Sequence, residues 1–403
     1  MNLTYFLKIK NKKLTFIILL IISSLIILSF YDSLSFRIKI ADGYALGDWL
    51  INFEDGGFKR RGLSGTFFLA ISRLSGIYVG NLVLSFVIAS YILFFVLLSY
   101  FISKVKFTIY NVLLIIQPTI FLLVLNDKYV VGRKEILLFI VFLTYLILYL
   151  KQRMLTWGNT LLTSSLLLIT MFFHEIVVFY IPYFLILPIN DYFNEKIPLE
   201  KKKIGVILVS VFIPMLLFTF FGTEINCGNT KNILLKYGVN ERVMDGVLNW
   251  PKISLFDFDT NVVNFSIKHN YFLYMIPLIL GYFIIYTTYK NSINIEKQIR
   301  KRLFLKIVFF LLLFSSFLFY VAPDWGRWIN IHLIMSSLIL FYFSIKFPIK
   351  RNNIKFSLLN FTYLFLCIIL CFFTTMKHVD TGYNLQKNGT FYFLKSIIHK
   401  FTS

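Results

Sequence analysis

Histidine beside a carboxylate inside an apolar run is the first place to look for chemistry, and His174-Glu175 sits between LLLITMFF and IVVFYIPYFLIL. Ionisable groups in such runs are costly and usually functional. An imidazole of this kind can take a proton from a hydroxyl; the alternative is a hydrogen-bonded pair that caps two helices. The second stretch is GGFKRRG (56–62), with Lys59, Arg60 and Arg61 side by side. Guanidinium forks match phosphate oxygens, so the cluster either holds a phosphate or diphosphate or lies solvated among lipid headgroups. Arg133, Lys134 and Glu135, which begin the helix after NDKYVVG, invite the same two readings, and cations at a helix start oppose the dipole, which favours an anion-binding role there. In PDWGRW (323–328), Arg327 binds an anion oriented by Asp324 while Trp325 or Trp328 stacks on a sugar face or lipid; the plainer reading is an aromatic belt with a local salt bridge.

The elements that must position these residues are membrane helices. The chain has 403 residues, of which 58% are hydrophobic and 15% charged, against about 25% charged in ordinary soluble domains. Runs such as 14–30 and 303–322 are long enough to cross ~30 Å of hydrocarbon, and they do not alternate as barrel strands do. The fold class is therefore all-α, a polytopic integral membrane protein and a single membrane domain (1–403). Spans are expected near 14–30, 80–103, 107–125, 136–150, 157–173, 176–190, 204–221, 271–289, 303–321, 329–345 and 357–373, about eleven transmembrane helices by hydropathy windows. The first reads as a retained anchor, with no small-residue cleavage site after it. Cys227, Cys367 and Cys371 have neither metal spacing nor a disulfide pattern, and no cofactor or metal is indicated.

The distribution of Lys and Arg puts the N-terminus in the cytoplasm. Lys201, Lys202 and Lys203, or Lys297, Arg300, Lys301 and Arg302, then fall on inner loops, as the positive-inside rule requires. Two helices hinged at His174-Glu175 are needed, since 157–190 as one helix would be about 50 Å long. Every polar motif then lies on the extracytoplasmic face: a first outer loop (31–79) with an interfacial helix over 62–76, the large outer loop 222–270, and the tail 374–403. The first loop holds Asp42, Asp48, Glu54 and Asp55, which can neutralise the cations, bind a divalent metal with phosphates, or supply a catalytic base. The loop 222–270, with Trp250, Pro251, Asp257 and Asp259, is expected to act as a lid, and His378 and Asp380 are expected to be ordinary surface residues. The net charge of +22 points to anionic membrane lipids; no interleaved basic and aromatic module suggests nucleic acid.

With GGFKRRG and DWGRW as the matching motifs, the chain resembles the bacterial O-antigen and capsular polysaccharide polymerases, and more broadly the GT-C class of integral-membrane glycosyltransferases. That resemblance implies a multi-pass protein of the bacterial inner membrane whose active site faces the periplasm or cell exterior. It implies polymerisation of undecaprenyl-diphosphate-linked oligosaccharide repeat units, with a chain-length regulator as partner. Lys59, Arg60, Arg61, Arg133 and Arg327 would hold the diphosphate, and His174 or Glu175 would take the acceptor proton. GT-C enzymes that use lipid-phosphate sugars instead employ a carboxylate of the first outer loop, which promotes Asp42, Asp48 or Asp55. A transporter or flippase is the second class; against it, the spans hold almost no charge apart from Lys306 and His332, whereas alternating access favours midplane sites. A membrane acyltransferase with His174 as base is the third.

Overall fold

The computed structural model describes residues 12–106, 108–152, 155–195, 197–249, 264, 266–292 and 301–348, with 362, 365, 368–369, 375–377, 383–384 and 395 beyond them. Cys367, Cys371, Trp250, Pro251, Asp257, Asp259, His378, Asp380 and most of the span expected at 357–373 lie outside the described residues. The described chain is all-α apart from one two-stranded antiparallel pair, Thr375–Met376 with Tyr383–Asn384. Seven of its helical stretches are long and apolar enough to cross a membrane: Lys12–Lys39, Val79–Ile102, Glu135–Gln152, Glu175–Phe193, Lys201–Phe221, Tyr271–Asn291 and Trp325–Lys346. Trp157–Phe173 and Lys306–Val321 are apolar but shorter. The molecule is a multi-pass membrane protein.

Two compact units make up the chain. The first comprises Phe30–Leu97 and Val131–Asp257. Into it run the end of α1 (Lys12–Lys39), α2 (Gly62–Ser75) and most of α3 (Val79–Ile102). With them are α6 (Glu135–Gln152), α7 (Trp157–Phe173), α8 (Ile181–Glu195), α9 (Lys201–Phe221) and α10 (Cys227–Lys236). The 24 residues of α3 contain no charge, and at 1.5 Å per residue they reach about 36 Å. The first helix continues nine residues beyond the expected end at Phe30. Asp32 and Arg37 look like loop residues in sequence, but Arg37 is buried and paired to Asp42 at 2.9 Å, so the helix carries its charge to a partner. The expected loop 31–79 is correspondingly shorter.

Helix α7 starts on Thr156, whose hydroxyl caps the Asn159 N–H, and stops at Phe173. His174 is extended (φ −159, ψ 108) and a 3-10 turn, Glu175–Tyr180, leads into α8. The expected hinge is thus a break in the helix. Around it the core is aromatic: Trp49 meets Phe68, Phe86 and Phe173 edge-on. Such contacts add about 0.5–1.5 kcal/mol each beyond the area buried. Helices α7 and α9 pack along each other, as do α6 and α7.

Residues 222–249 of the expected outer loop pack on the first loop. Thr223 N–H donates to Phe58 C=O at 2.8 Å. The Gly43 and Gly246 backbones cross so closely that a β-carbon on Gly43 would lie 2.7 Å from the Asp245 carbonyl carbon. Only glycine permits that approach.

The second unit contains α4 (Ile109–Ile116), α5 (Leu123–Asn126), α11 (Met275–Ser292), α12 (Lys301–Ser315), α13 (Leu318–Val321) and α14 (Trp325–Lys346). The span expected over 107–125 is not one helix: α4 ends at Ile116 and Gln117 is extended (ψ 121). Gln117 precedes Pro118, and a residue before proline is pushed out of the α region. Open backbone at membrane depth needs partners. The Asn330 amide supplies them, donating to the Thr119 and Ile120 carbonyls at 2.9 and 2.7 Å. Helix α14 is buried along nearly all its length and packs on α11 and α12. His332 on it pairs with Tyr282 at 2.7 Å.

Candidate functional site

Four separate segments of the first unit converge on one buried centre. They are the 3-10 turn Gly47–Leu50 with Asp48, the Lys59–Arg61 stretch, the Arg133–Glu135 entry to α6, and the His174-Glu175 break. Arg61 lies in the middle. Its Nε donates to Glu175 Oε2 at 2.7 Å and its Nη2 to Glu175 Oε1 at 2.6 Å, a bidentate fork, while Nη1 reaches Asp48 Oδ1 at 3.0 Å. Arg60, about one-fifth exposed, brings Nε within 3.5 Å of Glu175 Oε1.

The backbone of Arg61 is left-handed (φ 66, ψ 6) as it enters α2. For a residue with a β-carbon this costs of order 1–3 kcal/mol and persists only when surroundings fix it. The surroundings here are the two carboxylates on its side chain and Ser64, whose hydroxyl donates to the Arg61 carbonyl at 3.0 Å. Gly62 and Gly65 follow because α2 runs tight against the preceding chain. A β-carbon at Gly65 would stand 2.3 Å from the Ile51 carbonyl oxygen.

Lys134, fully buried, donates to Ser64 Oγ at 2.9 Å, lies 3.8 Å from Asp48 Oδ1, and faces the Trp49 ring at 5.4 Å. Trp49 is itself fixed, its Nε1–H donating to Gly132 C=O at 2.6 Å. His174 stands between two carboxylates, Nε2 at 3.3 Å from Glu135 Oε1 and Nδ1 at 3.6 Å from Glu175 Oε2. Glu135 is the first residue of α6, where the helix dipole favours a negative charge. Arg133 is buried, with its guanidinium 5.5 Å from the Tyr44 ring.

Electrostatics follow from these distances. Burial alone would push the Asp48 carboxyl up, but Lys134 and Arg61, helped by His174 and Arg133, hold it well below the usual carboxylate range. Burial works against the Arg61 guanidinium, yet Glu175 and Asp48 raise it above its ordinary value. Lys134 goes the other way: burial brings its ammonium down to about 8, with Asp48 opposing and Arg61 adding to the fall.

The four carboxylates of the first loop take four different partners. Asp42 pairs with Arg37, Asp48 with Arg61, Glu54 with the exposed Arg73, and Asp55 with Lys59 at 2.5 Å. Asp55 faces the 222–249 segment, accepting from Thr230 Oγ1 at 2.6 Å and from Asn226 N–H. Lys59, buried, also donates to Gly56 C=O. Of the residues expected to act, Asp48, Arg60, Arg61, His174 and Glu175 meet directly, Arg133 flanks them, and Asp55 and Lys59 tie down the loop that carries them. No group of three or more His, Cys, Asp or Glu suited to a metal occurs among the described residues.

In the second unit, the Arg327 backbone N–H donates to Asp324 C=O at 2.9 Å and its guanidinium pairs with the Asp324 carboxylate. The guanidinium lies over the Trp328 ring at 4.9 Å. Trp325 donates through Nε1 to Phe319 C=O and meets Tyr271 and Phe319 edge-on.

Lys134 and Glu135, expected beside Arg133 at the helix start, join the centre; Ser64, which meets Lys134, carries no signal in the sequence. Compared with protein-family models, with curated proteins and with solved structures, the chain matches none of them.

Proposed function

We propose that this membrane protein is a glycosyltransferase that polymerises undecaprenyl-diphosphate-linked oligosaccharide repeat units on the extracytoplasmic face. One observation carries the reading. Arg60, Arg61, Arg133 and Lys134 meet Asp48, Glu135 and Glu175 around one histidine, in a buried centre drawn from four distant segments. Such a cation surplus suits a diphosphate leaving group, and fixed charges in a water-poor site stabilise developing charge without reorganising.

In this reading an acceptor hydroxyl attacks the anomeric carbon of the donor. The bond from that carbon to the diphosphate oxygen breaks, and the diphosphate departs onto the arginines. His174 takes the hydroxyl proton, its ring held by Glu135 and Glu175. The GT-C variant, in which Asp48 acts and the donor is a lipid-phosphate sugar, draws support from the central place of that carboxylate. The depressed protonation of Asp48 makes it a weak base but a durable negative charge, suited to an oxocarbenium-like centre.

Deletion of the coding region and complementation test the proposal. Loss of the chain is expected to reduce the surface glycan to single repeat units, restored by the wild type and by no His174→Ala or Arg61→Ala variant that inserts normally. Complete loss of glycan on deletion would instead indicate a flippase or an earlier transferase.

A further inference from the structure

The centre contains a cation that neither faces the loop rim nor forms the arginine fork. Lys134 is completely buried, so no water replaces a contact it loses. Its ammonium reaches in two directions. Toward the turn Gly47–Leu50 it lies 3.8 Å from Asp48 Oδ1, the oxygen that also accepts from Arg61 at 3.0 Å. Toward α2 it donates to Ser64 Oγ at 2.9 Å. A hydroxyl that accepts from an ammonium has its own proton free to point elsewhere, and Ser64 sends it to the Arg61 carbonyl at 3.0 Å. The same lysine therefore acts on both ends of one residue: by charge on the carboxylate that grips the Arg61 side chain, and by hydrogen bond on the serine that grips its left-handed backbone.

We propose that Lys134 is a positioning residue for the anion-binding centre, setting the conformation of Arg61 through Ser64 and Asp48. This rests on the transfer reading above only in treating the centre as one that binds a diphosphate. Without the ammonium, Asp48 keeps one of its two ion-pair contacts, that with Arg61, and Ser64 can turn its proton away from Arg61. The left-handed backbone then loses a restraint, and the guanidinium loses its fixed aim.

The ammonium faces Asp48 and Arg61 from the first loop, Glu175 from the turn before α8, and Glu135 beside it in sequence. Its position at about 8 makes a pH profile the sharpest readout. Below that pH the lysine is charged and both parts of the restraint are present; above it the neutral amine can still donate to Ser64 but no longer holds Asp48 by charge. Pyrophosphate itself only gains negative charge as pH rises, so its own ionisation pushes binding in the opposite direction.

The test is binding of inorganic pyrophosphate to the full-length protein in lipid nanodiscs, measured by isothermal calorimetry from about pH 6.5 to 9.5. The wild type is expected to lose roughly tenfold in affinity across about pH 8. In Lys134→Arg, whose guanidinium stays charged throughout, the fall should vanish. In Ser64→Ala, which changes no charge, affinity should drop several-fold at every pH. A profile in Lys134→Arg that still falls near 8, or an unchanged affinity in both Ser64→Ala and Lys134→Met, would overturn the proposal, as would absence of pyrophosphate binding by the wild type. Should the glycan phenotype fail while the pH-dependent binding holds, the transfer reading falls and the role of Lys134 stands.

Discussion

Arg61 and Arg327 both pair with an aspartate, and both sit in motifs whose residue types suit an anion. Their partners separate them. Arg327 pairs with Asp324 three residues away, at the start of the helix both belong to. Arg61 takes Asp48, 13 residues away, and Glu175, 114 residues away. A local pair follows from helical geometry and needs nothing from the rest of the fold. A pair spanning 114 residues exists only because several membrane helices deliver both partners to one point. It arrives with a histidine, two further carboxylates and three further cations. Local pairing organises a helix start; long-range convergence organises a site.

Arg61→Ala is the strongest way to break that distinction. It leaves Glu175 and Asp48 buried without their fork, a loss worth about 3–5 kcal/mol. Polymer should disappear and the thermal transition in detergent should fall markedly. His174→Gln comes next: glycan transfer should fall by about 10²–10⁴ with the thermal transition nearly unchanged, since the amide can still hydrogen-bond. Arg327→Ala should cost no more than a few-fold in transfer, and up to roughly 3 kcal/mol in stability because it leaves the mostly buried Asp324 carboxylate unpaired. An Arg327→Ala protein that folds normally yet makes no polymer would erase the comparison and place both arginines at the diphosphate. Arg73→Ala removes an exposed pair with Glu54 and should leave transfer and thermal transition where they were.

Acid gives a finer comparison. Asp48 is held below its ordinary value by Lys134 and Arg61 against the pull of burial. The stability it contributes is therefore fully present above the ordinary carboxylate value of 3.8 and is lost only as pH falls through its lower folded value. Activity measured down to about pH 5 should show no loss attributable to protonation of Asp48.

Much of the scaffold was legible because hydropathy and punctuation are local. Val79–Ile102 and Lys201–Phe221 lie within a few residues of their expected bounds, and the break at His174 follows from span length and charge balance. Where expectation failed, the deciding term was a contact. Arg37 reads as loop until Asp42 neutralises it, and 107–125 reads as a span until Gln117-Pro118 opens the helix and Asn330 satisfies its carbonyls. The site was legible as residue types but not as a set. Nothing in the spacing of Asp42, Asp48, Glu54 and Asp55 says which one meets Arg61, because the choice is made by α2 and α7 bringing Ser64 and Glu175 to it.

The connections that build the first loop also have an order in time. Asp48 and Arg61 can meet as soon as the loop is made; Lys134 reaches Ser64 after 70 residues, Glu175 reaches Arg61 after 114, and Thr230 reaches Asp55 after 175. At 5–20 residues per second, that last bond waits roughly 10–35 s behind the ribosome. The segment translated early is thus completed late, and its left-handed arginine depends on chain not yet synthesised. Nascent chains stalled between residues 175 and 230 should carry the Arg61–Glu175 pair on a loop that Thr230 has not yet closed. Limited proteolysis of such chains should cut between residues 52 and 58, where the finished protein resists.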